Sequence, residues 1–141
     1  MHKSVFLTNT DTTIGFISKE KNSLDSAKNR PKNKKYINAL ATLRALKKRV
    51  PKPYRKIVRR AKKTTFILNK DYSFRVIKDK HHKLLIDRLE SAYTSSANES
   101  GKEYNFEYGY NHADVIVFPL GTNSEPSHIY KLGRYKIKKI R

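Results

Sequence analysis

Two short stretches of the chain carry paired polar side chains with the spacing that a binding site needs. In residues 94–101, TSSANESG, the hydroxyl of Ser96 and the amide of Asn98 lie two positions apart where a strand runs out into a polar loop, so both project to the same side. Lys28 and Arg30 have the same spacing in a non-helical segment. A compact ammonium and a planar guanidinium suit two different phosphate or carboxylate groups. These pairs predict binding of anionic reactants, and since no residue is an obvious nucleophile, they favour catalysis by positioning and charge.

Each pair also has a plainer interpretation. Ser, Asn and Gly dominate ordinary turns for local backbone reasons, and the two cations are among many in a basic stretch. Thr10 and Thr12 share the two-residue spacing, but they are also common turn formers at a strand end. None of the three pairs identifies a site when it is taken alone.

Taken together, the segments are more informative. Residues 9–16 read NTDTTIGF, residues 28–31 read KNRP, and residues 96–98 read SAN, followed by Ser100 and Gly101. In order and approximate spacing they resemble the motifs Pro-Thr-Asp-Thr-x-Tyr-Gly-Leu, Lys-x-Arg-Pro and Ser-x-Asn of the YrdC-type family. That family comprises the threonylcarbamoyl-AMP synthases that begin threonylcarbamoyladenosine synthesis on tRNA.

Three further positions extend the resemblance along most of the chain. Thr65 is similar to the threonine at the family's strand entry, although the Pro-Gly-Pro before it is replaced by residues 61–63, AKK. Arg75 resembles the arginine of Val-Arg-x-Pro, here without the proline, and Ser127 resembles the serine of Pro-Ser-Thr-Ile-Val-Asp. The resemblance therefore involves positions from both halves of the sequence.

The resemblance implies a fold, a reaction and a set of site residues. The implied fold is α/β (α+β), a twisted mixed parallel and antiparallel sheet flanked by helices, with a basic cavity. The implied substrates are ATP with Mg2+, L-threonine and bicarbonate, and the products are threonylcarbamoyl-AMP and pyrophosphate. The residues implied to be catalytic are Lys28, Arg30, Ser96 and Asn98, and those implied to bind ATP or threonine are Thr10, Thr12, Thr65, Arg75 and Ser127. Fixed cations suit this chemistry because a carbamate and a triphosphate repel each other.

The chain also departs from the family. Asn9 replaces the opening proline, Ile14 replaces the tyrosine, and Ala39 stands where many members have a histidine. Three hypotheses remain open: a compact synthase; a non-catalytic protein of the same fold that binds tRNA or double-stranded RNA; and a ribosome- or polyanion-associated protein of unrelated fold. A synthase would have tRNA or another RNA, and other tRNA-modification proteins, as its partners.

The charge of the chain indicates a polyanionic partner. It has 32 Lys and Arg against 12 Asp and Glu, a formal net charge of +20. Between Asp25 and Asp71 no residue is acidic, while 17 of the 45 residues are Lys or Arg. RNA is the leading candidate because phosphate neutralisation releases condensed counterions, although a solvated face or an anionic membrane surface gives the same composition. The residues assigned to RNA binding are Lys47, Lys48, Arg49, Arg55, Arg59, Arg60, Lys62 and Lys63.

Composition bounds the remaining possibilities. The 141 residues predict one domain, 1–141, with a real core. The chain has no cysteine, no apolar run of membrane-spanning length and no signal-peptide core near Met1, so we expect a cytoplasmic protein without a membrane partner. His81 and His82 are adjacent and would point in different directions on a helix, so no metal site is predicted.

Apolar patterns predict the elements that must position these residues. Strands are expected at 4–8, 36–39 and 114–118 (the first and the last buried), a hairpin at 64–69 and 73–77, and edge strands around Ile129, Tyr135, Ile137 and Ile140. Helices are expected at 23–29, 42–49 and 81–92, and from Pro53 onward with Tyr54, Ile57 and Val58 facing inward. Tyr104, Phe106, Tyr108 and Tyr110 alternate at period two, which fits a half-buried edge strand or a platform for stacking RNA bases.

Overall fold

The computed structural model describes residues 3–31, 35–69, 72–118, 120, 127–133 and 136–141. In these ranges the strands are β1 (Phe6–Asn9), β2 (Ile14–Ser18), β3 (Ile37–Leu40), β4 (Thr64–Asn69), β5 (Tyr72–Val76), β6 (Ser91–Ser96), β7 (Val115–Ile116), β8 (His128–Leu132) and β9 (Ile137–Lys139). The helices are α1 (Lys21–Lys28), α2 (Arg55–Arg60), α3 (Lys80–Leu89) and α4 (Phe106–His112), with short 3-10 turns at Leu43–Ala45 and Lys52–Tyr54.

All nine strands belong to one mixed sheet. Their spatial order is β7, β1, β2, β6, β3, β5, β4, β8, β9. The pairs β1 with β7, β3 with β5 and β4 with β8 are parallel, and the other neighbouring pairs are antiparallel. The α/β mixed sheet with flanking helices that the sequence predicts is confirmed.

The two sides of the sheet carry different residues because side chains alternate along each strand. Face A is the side of Phe16, Phe66 and Phe74; it is covered by α1 and α4 at one end and by the segment that contains α2 at the other. Face B is the side of Ile17 and Arg75; α3 covers only part of it. Since helices cover both sides of β2, all five of its residues are buried, which explains its near-continuous apolar sequence.

Most predicted strands are present. The strands expected at 4–8 and 36–39 correspond to β1 and β3, and the predicted hairpin is the antiparallel pair β4 and β5. Of the edge strands expected in the tail, β9 lies at the edge of the described sheet, but β8 does not, because it pairs with β4 on one side and with β9 on the other. Tyr135 lies outside the described residues. The buried strand expected at 114–118 is wrong in its burial. Only two of these residues form β7, and they are partly exposed because β7 pairs with β1 alone at the end of the sheet.

The helix predictions are confirmed at 23–29 and 81–92, with shifted ends, but not at 42–49. In the last segment only one 3-10 turn forms, and the chain is already extended at Leu46. Pro51 disfavours helical backbone at the residue before it, so this short segment has no room for a second turn. The helix after Pro53 is α2, in which Tyr54 and Val58 are buried as predicted.

Two side-chain assignments are also wrong. Ile57 is 47% exposed, because it is one residue away from Val58 and therefore points about 100° to the side. The alternating aromatics at 104–110 form neither an edge strand nor a platform: from Phe106 onward they belong to α4. The residue that indicates a helix here is Asn105, whose side chain caps α4 by accepting hydrogen bonds from the backbone N–H groups of Glu107 and Tyr108.

The aromatic core of face A should supply a large part of the stability. Phe74 is fully buried and packs against Phe66, with ring centroids 5.8 Å apart. We expect Phe74→Ala to lower the free energy of unfolding by about 3–5 kcal/mol, because it removes buried apolar area and leaves a cavity. Urea denaturation measures this quantity. The matched control is Phe106→Ala, which truncates a ring that is 48% exposed and should cost within about 1 kcal/mol. Equal losses in both variants would contradict the assignment of the core.

Candidate functional site

A cavity of about 290 Å3 opens on face B, beside the part of the sheet that α3 covers. Its wall combines the loop between β1 and β2, the end of β6, the middle of β5, the residue before β8 and the end of the chain. Its polar lining includes Thr10, Thr12, Arg30, Tyr36, Arg75, Ser96, Ser127 and Arg141. The cavity therefore collects six of the nine residues that the resemblance assigned to catalysis or ligand binding.

Arg75 forms the centre of the cavity floor. Its Nη1 donates to Asp11 Oδ1 at 3.1 Å and to Thr12 Oγ1 at 2.9 Å, its Nε donates to Thr65 Oγ1 at 3.1 Å, and its Nη2 donates to Ser127 Oγ at 3.1 Å. The residue is only 6% exposed. Burial lowers the pKa of Arg75 from its ordinary value, and the Asp11 carboxylate opposes that shift. Thr65 does not line the cavity. It contributes to the site by accepting a hydrogen bond from the Arg75 guanidinium.

The loop that brings Thr10 and Thr12 to the cavity is a tight turn between antiparallel strands. Thr10 Oγ1 accepts a hydrogen bond from the backbone N–H of Thr12 at 3.1 Å and donates to the carbonyl of Thr13. Position 15 requires glycine because the backbones of β2 and β6 come close there: a Cβ on Gly15 would lie 2.9 Å from the carbonyl oxygen of Ser95. These contacts fix the floor of the cavity between β2 and β6.

Lys28 closes the back of the site and does not line it. Its ammonium donates to the carbonyl oxygens of Ser96 at 2.7 Å and Asn98 at 3.0 Å, and the residue is 3% exposed. Burial, and then repulsion from Arg30, lowers the pKa of Lys28 to about 8. Lys28 therefore ties the end of α1 to the loop after β6.

Ser96 and Asn98 contact each other instead of projecting side by side. The Ser96 hydroxyl hydrogen bonds to Asn98 Oδ1, and Asn98 Nδ2 donates to the carbonyls of Glu99 and Lys102, each at 2.8 Å. Of the pair, Ser96 lines the cavity, whereas Asn98 shapes the loop behind it. The structure thus brings together Arg30 and Ser96 and places Lys28 and Asn98 one layer behind them.

Arg30 lies at the rim of the cavity on an aromatic support. Its guanidinium carbon is 4.6 Å from the centroid of the Tyr36 ring, and its backbone N–H donates to the Asp25 carbonyl at 2.9 Å. The Tyr36 hydroxyl donates to Asp25 Oδ1 at 2.6 Å. Burial, reinforced by Asp25, raises the pKa of Tyr36. The segment after α1 is thereby fixed with the guanidinium facing the cavity.

Arg141 is the site residue that sequence reasoning missed. Its Nε donates to the carbonyl oxygen of Ser127 at 2.9 Å and its guanidinium lines the cavity. Three guanidiniums, those of Arg30, Arg75 and Arg141, therefore face one space, and none of the described lining residues is acidic. Such an arrangement attracts anions with more than one negative group. No signal in the sequence separates Arg141 from the other cations of the tail.

The cations assigned to RNA binding lie elsewhere. Seven of the eight are exposed, and Arg55 is partly buried with its Nε donating to the Val50 carbonyl at 3.2 Å. Val50, Tyr54 and Val58, which hold this segment, pack onto the apolar cluster of face A. The basic segment, residues 47–63, is therefore on the opposite side of the sheet from the cavity.

The histidines do not form a metal site within the described ranges, where no group of three His, Cys, Asp or Glu side chains lies close enough to hold an ion. His82 is on the buried side of α3, and burial lowers its pKa to about 4, so its ring is neutral at physiological pH. No helix in the part of the chain that the structure describes is long and apolar enough to cross a membrane.

Comparison with solved structures gives the same fold at low sequence identity. A doubly substituted form of P. abyssi Sua5 matches with a TM-score of 0.83 and 19% identity over 99% of this chain, and P. abyssi Sua5 complexed with L-threonine matches with a TM-score of 0.80 and 17% identity over 99%. This chain spans 52% and 50% of those two chains. E. coli YciO matches with a TM-score of 0.78 and 18% identity, over 98% of this chain and 82% of its own. No protein-family model and no curated protein sequence matches significantly.

The buried ammonium of Lys28 should make stability depend on pH. Its pKa of about 8 in the folded state lies below its ordinary value of 10.5, so between these values the unfolded chain holds more protons and the free energy of unfolding rises with pH. Tyr36 acts in the opposite direction above pH 10, because its folded pKa is raised. We therefore expect the free energy of unfolding to rise between pH 8 and 10 in the parent protein.

Lys28→Met isolates this effect because it removes the titrating group and keeps a long side chain. Its urea unfolding free energy, measured across the same pH range, should lack the rise that the parent shows. Parallel pH profiles for the two proteins would contradict the burial of the charged ammonium.

Proposed function

Because this chain has the fold of Sua5 and YciO, which are YrdC-family proteins, we propose that it binds ATP, L-threonine and bicarbonate in the face B cavity and forms threonylcarbamoyl-AMP, with release of pyrophosphate. The observation that carries the proposal is the convergence of three guanidiniums and the hydroxyls of Thr10, Thr12, Ser96 and Ser127 on one cavity. The sequence resemblance assigns most of these residues to the same reaction.

The reaction joins groups that repel each other. The threonine amine first condenses with bicarbonate to a carbamate, and water is lost. A carbamate oxygen then attacks the α-phosphate of ATP, the bond from that phosphorus to the bridging oxygen breaks, and pyrophosphate leaves with the electron pair. Arg75 is fixed by four side chains, so its charge does not have to reorganise as the phosphate becomes more negative. Arg30 and Arg141 reach the same space from its rim and can neutralise the leaving pyrophosphate and the threonine carboxylate.

Hydroxyl groups supply the remaining contacts in this proposal. Thr10, Thr12 and Ser96 line the cavity and can hydrogen bond to the threonine or to phosphate oxygens. The described residues that line the cavity include no carboxylate, and the nearby Asp11 is paired with Arg75. Mg2+ would therefore enter bound to the ATP phosphates. The volume of 290 Å3 is at the lower end of the range of about 300–1,000 Å3 for ligand sites, which suits the reacting ends of the substrates.

Two of the three departures from the family lie away from this space. Ile14 is buried in the apolar cluster of face A, and Ala39 is fully buried among the residues that α3 covers. Neither lines the cavity. The presence of Ile14 and Ala39, where the family motif has a tyrosine and a histidine, therefore affects the packing around the cavity more than its polar lining.

RNA binding is the second candidate function, and a separate observation favours it. The exposed cations of the basic segment, residues 47–63, are on face A, where bound RNA would leave the cavity open. A synthase that delivers its product for tRNA modification, alone or with other tRNA-modification proteins, would use both surfaces. We place this activity in the cytoplasm, in agreement with the composition of the chain.

Loss of Arg30 should abolish the reaction without unfolding the protein. We expect pyrophosphate release from ATP and Mg2+ to require both L-threonine and bicarbonate, and Arg30→Ala to lower its rate by about 10²–10³-fold, because one preorganised cation is removed from the anionic transition state. Release is measured with a coupled pyrophosphate assay.

The matched control is Arg88→Ala, which removes an exposed arginine from α3 and should leave the rate unchanged. A parent protein that releases no pyrophosphate would contradict the synthase. An equal loss in both variants would contradict the role of Arg30.

RNA affinity should depend on the basic segment and not on the cavity. The double substitution Arg59→Glu with Arg60→Glu is expected to weaken tRNA binding about tenfold or more and to reduce its dependence on salt, because fewer counterions are released. Filter binding at several salt concentrations measures both quantities. Lys80→Glu with Arg88→Glu makes the same charge change on α3, over face B, and should have a smaller effect. If the two double variants bind alike, the assignment to face A is wrong.

A further inference from the structure

Face A has an open groove at the centre of the sheet. The helical layer on this face is divided: α1 and α4 pack over Leu7 and Phe16, whereas the turns and α2 of the basic segment pack over Phe66 and Phe74. Between the two groups runs the seam of β6 and β3, where Tyr93 is paired with Asn38. A cavity of about 230 Å3 lies over this seam.

The lining of the groove is mixed, with aromatic and polar side chains beside Leu40, Ala45 and Ala92. Tyr93 and Tyr72 are both half-buried in it, beside Asn38 and Ser91. Burial raises the pKa of Tyr72. Central strands covered by helices usually present aliphatic side chains, so these residues indicate a surface adapted to a partly polar ligand.

Cations border the groove on both sides. The Lys21 ammonium lies 5.1 Å from the centroid of the Tyr93 ring, and the Lys19 ammonium donates to the Leu89 carbonyl at 2.5 Å. On the other side Lys47 lines the groove and begins the exposed basic segment. The groove therefore opens directly onto the cations that would hold a nucleic-acid backbone.

We propose that this groove binds one unpaired nucleotide of an RNA strand whose phosphates lie on the basic segment, residues 47–63. Tyrosine rings stack on bases whatever their identity, and the phenol and amide groups can hydrogen bond to exposed base edges. Lys19, Lys21 and Lys47 contact the flanking phosphates. Charge complementarity selects RNA over an apolar peptide or a lipid, since cations line the groove and no acidic residue is among its described lining. The site is separate from the proposed synthase cavity, and it rests on the RNA binding proposed for the basic segment.

The test compares the affinity of a fluorescein-labelled single-stranded oligouridylate for matched tyrosine variants. Tyr93→Leu and Tyr72→Leu should each weaken binding about tenfold, because the stacking ring is lost. Tyr93→Phe keeps the ring and should retain affinity. Tyr110→Leu removes a half-exposed ring from α4 and should bind like the parent protein. Urea unfolding confirms that each variant is folded, and pyrophosphate release should be unchanged in all of them.

Two outcomes would overturn the proposal. The first is unchanged affinity in a folded Tyr93→Leu variant. The second is a Tyr93→Leu variant that loses as much affinity for a duplex of the same length as for the single strand, since a paired base cannot enter the groove. Photocrosslinking with a 4-thiouridine oligonucleotide gives an independent readout: adducts on the peptides that contain Tyr72 or Tyr93 support the groove, whereas adducts confined to α4 or to the face B cavity contradict it.

Discussion

The site depends on one buried cation. Arg75 sits in the sheet, where an unpaired charge would be costly, and it is tolerated because Asp11, Thr12, Thr65 and Ser127 accept hydrogen bonds from its guanidinium. These partners come from the loop after β1, from β4 and from the residue before β8, so this single group fixes the relative positions of elements that are distant in sequence. The hydrogen bonds that stabilise the charge of Arg75 therefore also determine the shape of the cavity.

A second cation performs a similar task at the edge of the site. Lys28 is buried, and its ammonium donates to the carbonyl oxygens of Ser96 and Asn98. Helix α1 ends directly after it at Asn29, whose φ is 50°. The motif Lys-x-Arg therefore divides its work between the two residues. Lys28 organises the backbone, and Arg30, supported by Tyr36, presents its charge to the cavity. The same two-residue spacing would have suited two cations pointing at one ligand, so sequence alone did not distinguish these roles.

The sequence predicted the fold more successfully than the details of the site. Period-two patterns and short apolar runs located the strands because each buried strand must alternate or be continuously apolar, and the motif order identified the overall arrangement. The errors arose where tertiary packing decided the outcome. The alternating aromatic pattern at 104–110 predicted a strand, but the Asn105 cap begins a helix there. The segment at 42–49, which precedes Pro51, forms one 3-10 turn and not the predicted helix, although Leu43 and Leu46 pack on the core. Arg141 joined the site through the pairing of the tail with β8, a long-range contact with no local sequence signature.

Strand β6 serves both sides of the sheet. Thr94 and Ser96 point toward the face B cavity, while Ser91 and Tyr93 point toward the groove on face A. Single substitutions can alter one surface and spare the other, so the two can diverge independently. An inserted or deleted residue within β6 would instead exchange every side chain between the two faces and damage both at once. This strand should therefore accept changes in residue type during evolution but not changes in length.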